Sequence, residues 1–178
     1  MQIHCHGKIR ANVRARAGIR PPALLQKKGD PMALLAAYAV PHPPLIVPAV
    51  GHGQEAAIAD TIAAYREVAR RVAAHRPDLI VITSPHAPLY RDGFFIADTP
   101  EETGSMAAFG QPGERMTTRT DLPFAKDVAT RLHRRGIPSA GAPASMADID
   151  HGTFVPLHFL EETINLDSVT VVRMGLSG

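Results

Sequence analysis

Apolar and polar residues fall along this chain in blocks whose period separates strands from helices. Residues 33–40 are almost wholly apolar after the Pro31 breaker and predict a first strand, stopped by Pro41-His42-Pro43-Pro44. Residues 45–48 continue as an extended loop, with Gly51 and Gly53 opening a turn. From Gln54 to His75 the period changes. Ile58, Ile62, Tyr65, Ala69 and Val72 follow steps of four and three, which is one face of a helix, and Pro77 marks its exit. Leu79-Ile80-Val81-Ile82 is a short β-branched run that predicts a buried central strand covered on both faces, ended by Pro85 and Pro88. Strand, helix and strand make a right-handed βαβ unit whose parallel strands point their carboxyl ends the same way. On that topology His42 and His86 share one rim, where open α/β sheets bind ligands.

The later pattern is less regular. Residues 93–97 predict a strand, and residues 104–113, broken by Gly and Pro, predict a loop with residues 106–109 buried. Residues 116–120 predict a short strand. Asp121 caps a helix carrying Phe124, Val128 and Leu132, which Gly136 ends. A short strand is expected near Ile137. Asp150-His151-Gly152 turns into a short helix bearing Leu157 and Leu160, ended by Asn165, and residues 169–174 form the last strand. The fold class expected is α/β, a mostly parallel central sheet flanked by helices. No covering helix follows the last strand, so the sheet is expected to be incomplete on its C-terminal side.

Composition narrows the class. The 178 residues suffice for one domain with a core, and 45% hydrophobic with 20% charged residues is ordinary for a globular chain. No apolar run reaches the ~18 residues of a membrane span. The single Cys5 excludes an internal disulfide and fits a reducing, cytoplasmic compartment. Few aromatics and no Trp argue against a stacking platform for nucleic acid. The net charge of +2 conceals an asymmetry: residues 1–31 carry seven Lys and Arg against Asp30 alone. That stretch reads as a basic, disordered extension, and Met32 as a natural start for the ordered domain, residues 32–178. His4-Cys5-His6 has metal-like residue types, but at a frayed terminus such a run is commonly incidental.

Three histidines stand out. His42 and His86 each sit among prolines at a strand end, where the ring is held stiffly. Either alone reads equally as a tight loop; the repeated context favours a metal site. Neutral imidazole suits iron, zinc or copper, and two histidines with one carboxylate form the facial triad of non-haem Fe(II). His151, between Asp150 and Gly152, reads as an acid–base residue oriented by the neighbouring carboxylate, or as part of a capping turn. His52, His75, His133 and His158 are assigned no role.

Tyr38-Ala39-Val40-Pro41-His42-Pro43-Pro44, Ser84-Pro85-His86-Ala87-Pro88 and Asp150-His151-Gly152 with Val155-Pro156-Leu157 occur in an order and spacing that resembles the class III extradiol ring-cleavage dioxygenases. The chain is similar to the protocatechuate 4,5-dioxygenase β-subunit type, and within it to the AmmeMemoRadiSam or Memo-like branch, in which this domain can be fused to an AMMECR1 domain. The resemblance implies an oxidoreductase in which His42 and His86 ligate Fe(II), with Zn(II) as the other candidate metal. It implies His151 as the acid–base residue, and a small aromatic diol and O2 as substrates. A homo-oligomer or an AMMECR1 partner fits that branch; a membrane or nucleic acid does not. The family's third ligand is a late glutamate, and the sequence ends before a matching position; Asp148 and Asp150 do not match it. The chain is therefore expected to be the N-terminal portion of a dioxygenase-like domain. The alternative is a non-catalytic Memo-like metal-binding or protein-interaction domain, or an inactive fragment.

Overall fold

Two long helices and a proline-bearing third one cover a four-stranded sheet in a computed structural model that describes residues 34–143 and 146–178. The basic stretch 1–31, including His4-Cys5-His6, lies outside the described residues. The helical and strand elements are α1 (Pro48–Gly51), α2 (Ala59–His75), β1 (Leu79–Ser84), β2 (Phe94–Phe95), β3 (Glu101–Met106), β4 (Gln111–Arg119), α3 (Leu122–Arg134), β5 (Ser139–Ala140), α4 (His151–Leu160) and β6 (Thr170–Gly175). Strand order is β1-β6-β4-β3. β1 and β4 run parallel to β6, and β3 pairs antiparallel with β4, while β2 and β5 form a separate parallel pair. This is the α/β architecture expected of the pattern.

Each helix buries the face its sequence spacing marks. On α2, Tyr65 and Ala69 are buried, and Ile62 and Val72 pack on the same core. α4 joins α2 on that face of the sheet, with Tyr65 stacked on Phe159 at 4.4 Å between ring centroids. α4 carries Pro156 in its interior, which local propensity disfavours. Burial of Phe154, Val155, Leu157, Phe159 and Leu160 outweighs that cost. On the other face, Phe124, Val128 and Leu132 of α3 pack on Val172 and Ile96. Asp121 caps α3 by accepting from the Phe124 amide at 2.9 Å.

Four expectations fail, each for a physical reason. Residues 34–40 form no strand: an apolar run needs a backbone partner to join a ladder, and this one has none among the described residues, with Leu34 82% exposed. Among the described residues β1 is an edge strand, hydrogen-bonded to β6 alone, and Val81 is 45% exposed. A β-branched run is equally compatible with one buried face. Residues 45–48 are not extended but wind into a 3-10 turn, Pro44–Ile46, followed by α1, and they bury Ile46 and Val47. Residues 104–113 are a loop only at 107–110, a 3-10 turn ending at Gly110; the flanking residues belong to β3 and β4, so the stretch is the closing end of their hairpin. Met106 in it is buried as expected, whereas Phe109 is 37% exposed. Smaller shifts concern Asn165, which caps a following 3-10 turn rather than ending α4, and the strand near Ile137, which is β5.

Candidate metal centre

Two loops and the first turn of a helix deliver three imidazoles to the carboxyl end of β1. His42 precedes the Pro44–Ile46 turn. Its neighbour Pro41 accepts, through its carbonyl, a hydrogen bond from the Tyr65 hydroxyl of α2, and buried Ile46 pins the other side. His86 lies two residues past the end of β1, in a loop anchored by buried Ala87 and Pro88. His151 is the first residue of α4, whose N-cap is Asp150.

The rings converge. Ligand-capable atoms of His42, His86 and His151 all lie within 4.8 Å of one another. Nε2 of His42 and Nε2 of His86 are 3.0 Å apart, and the ring centroids of His86 and His151 are 4.0 Å apart. The site faces outward: His86 is exposed, and His42 and His151 are partly so. Phe109, at the hairpin tip between β3 and β4, stands edge-on to His151 at 5.2 Å. The two proline-flanked histidines thus meet as expected, but not through a βαβ unit, because His42 leaves an unpaired segment. Packing of Tyr65 and Ile46 places it instead.

Donor chemistry and spacing both suit a metal. Nε2 of His42 and Nε2 of His86, 3.0 Å apart, are close enough that one ion could be held by both. Neutral imidazoles are ligands for iron, zinc or copper. Among the described residues the cluster is three imidazoles and holds no carboxylate. His52, His75, His133 and His158 take no part in it.

Burial holds the His151 imidazole below the usual histidine range, and nearby His86 adds to this. The Asp150 carboxylate pulls the other way, and His42 gives a further downward push. The ring is therefore neutral near pH ~7 and free to accept a proton. Asp150 does not orient this ring by hydrogen bonding, as its position in sequence suggests. Its Oδ1 accepts from Ser84 Oγ at 2.5 Å and from the Thr153 amide at 3.1 Å. Its Oδ2 accepts from Thr153 Oγ1 at 3.1 Å and from Arg173 Nη1 at 3.3 Å. The capping-turn reading of Asp150 is correct, and it coexists with the cluster.

Ser84 and Arg173 are what sequence reasoning passes over. Arg173 is 1% exposed, with Nη2 of its guanidinium 2.8 Å from Glu102 Oε1. Its signal was a single charge inside the otherwise apolar run Val171-Val172-Arg173-Met174. Gly152 shows why glycine follows the histidine. A Cβ there would lie 2.4 Å from Ser84 Oγ and 3.1 Å from His86 Cδ2.

The family model described as the catalytic LigB subunit of aromatic ring-opening dioxygenase matches residues 36–177, which include all three histidines. The chain belongs to that family. It is a ring-cleavage dioxygenase-like domain, and its histidine cluster could bind the metal on which such dioxygenases typically depend. Protein CA_C1420 of Clostridium acetobutylicum is 30% identical over 138 residues, covering 74% of this chain and 30% of the relative. The chain thus spans under a third of the length of the curated relative it matches. No helix among the described residues is long and apolar enough to cross a membrane.

Proposed function

We propose that this domain, residues 32–178 behind a basic extension, takes part in extradiol cleavage of a small aromatic diol by O2, with Fe(II) held by His42 and His86. The observation that carries the reading is the meeting of three histidines from distant parts of the sequence, all ligand atoms within 4.8 Å. Iron bound there would supply a Lewis-acidic, redox-active centre for the diol and oxygen. The chain's own residues do the rest. His151, kept neutral by burial, accepts a phenolic proton on a ring nitrogen and can return it to the opened product. Phe109 offers an aromatic edge beside that ring, a wall against which a flat substrate packs. The rim is open to solvent at His86, the side from which a substrate would approach.

The test is anaerobic titration with Fe(II), followed by oxygen uptake with a panel of catechols. Stoichiometric binding, lost in His42→Ala and His86→Ala, with diol-dependent uptake that falls in His151→Phe, is expected. Binding unchanged in both alanine variants would refute the metal site. Metal retained without turnover on any diol would refute ring cleavage and leave a metal-binding domain.

A further inference from the structure

We propose that Ser84, Asp150 and Arg173 form a positioning relay that locks His86 and His151 into one constellation, with the Ser84 hydroxyl as its joint. The proposal rests on the metal-centre reading above. Ser84 is the last residue of β1 and is fully buried. Its Oγ accepts from the His86 amide at 3.1 Å and donates to Asp150 Oδ1 at 2.5 Å. A hydroxyl has one proton, and a carboxylate facing a guanidinium only accepts, so the direction of both bonds is set. One hydroxyl therefore ties the loop bearing His86 to the residue that caps the helix bearing His151.

Arg173 holds the far side of Asp150. Its Nη1 reaches Asp150 Oδ2 at 3.3 Å and the Asp148 carbonyl at 2.8 Å. Its Nη2 reaches Glu102 Oε1 and the Ala147 carbonyl, both at 2.8 Å. The Phe95 ring lies 5.0 Å from its guanidinium carbon. These contacts pin the segment immediately before His151 from two directions.

A helix cap alone does not call for this arrangement. The Thr153 amide and hydroxyl already satisfy Asp150 as a cap. Burying a guanidinium with two carboxylates is a poor route to stability compared with apolar packing of the same volume. What the network does provide is geometry: outer partners that orient ligands commonly matter ~10–100-fold for metal affinity. Gly152 agrees with this, since its missing side chain is what lets α4 start directly against Ser84 and the His86 ring.

Co(II) serves as the probe, because its visible absorption reports ligand geometry. Ser84→Ala should bind Co(II) about tenfold or more weakly with a changed spectrum, and its His86 amide should exchange with solvent faster in the metal-free protein. Ser84→Thr, which keeps the hydroxyl, should restore affinity and spectrum. Thermal midpoints of the metal-free proteins separate lost fold from lost geometry. Should Ser84→Ala unfold, Asp150→Asn carries the same readouts, since it keeps an oxygen towards Ser84 and removes the charge facing Arg173. Wild-type affinity and spectrum in the folded variant, or failure of Ser84→Thr to restore them, would overturn the relay alone. Wild-type protein that binds no Co(II), or binds it undisturbed by His42→Ala, would overturn the metal centre and the relay with it.

Discussion

Replacing Gly152 by alanine adds one methyl group to α4, and helix propensity alone says the change should stabilise by up to ~1 kcal/mol. The tertiary contacts reverse the sign. The new Cβ would lie 2.4 Å from Ser84 Oγ, closer than any real contact, beside a serine with no exposed surface. Ser84 can escape only by turning its hydroxyl away. That turn gives up the bond donated to the Asp150 carboxylate and the one accepted from the His86 amide. The first, to a charged group, is worth ~1.5–3 kcal/mol and the second ~1 kcal/mol. Set against the propensity gain, the net loss is about 2 kcal/mol. For a chain of this size that lowers the melting temperature by roughly 4–8 °C. Thermal unfolding of metal-free protein, followed by circular dichroism, measures it. A Gly152→Ala variant that melts at or above the wild-type temperature would refute the close approach of α4 to β1.

Two further outcomes follow from buried groups. Arg173→Met leaves Glu102 and Asp150 facing each other without the cation between them, so urea denaturation should show a loss of ~3–5 kcal/mol; a loss under ~1 kcal/mol would mean the pairing is weaker than its burial implies. Tyr65 gives a pH dependence. Burial holds its phenol well above the ordinary value of 10.0, so the unfolded chain releases that proton first as pH rises. The contribution of the neutral phenol is therefore complete below pH ~10 and declines above it. Denaturation midpoints between pH ~9 and ~11.5 should fall more steeply for wild type than for Tyr65→Phe, and parallel curves would contradict the burial argument.

Where a sequence signal is local, the reading succeeded. The stripe through Ile62, Tyr65, Ala69 and Val72 packs on the core as its spacing requires, and Asp121 caps α3 as its position suggests. The proline-flanked His42 and His86 and the Asp150-His151-Gly152 turn were visible because each is a short stretch with unusual chemistry. The hairpin was hidden by its own glycines. Gly104 reads as a breaker, yet it lies in β3 paired with Met116, and it is glycine because a Cβ there would come 2.5 Å from that of Ile149. Gly110 occupies the turn with φ 80°, the left-handed region glycine enters freely. Residues 34–40 erred in the opposite sense, since apolar character was present and a ladder partner, among the described residues, was not.

Local order along the chain determined the buried stripe of α2, the cap that starts α3 and which residues carry donor nitrogens. These properties depend on neighbours within a few positions, so they are written in the sequence itself. Only the tertiary structure decided that β1 lies at an edge and that Tyr65 anchors the segment bearing His42. It alone decided that Asp150 turns from His151 towards Ser84 and Arg173. Each of these depends on groups dozens of residues apart, and their meeting is set by how apolar faces pack and by the need to satisfy every buried charge.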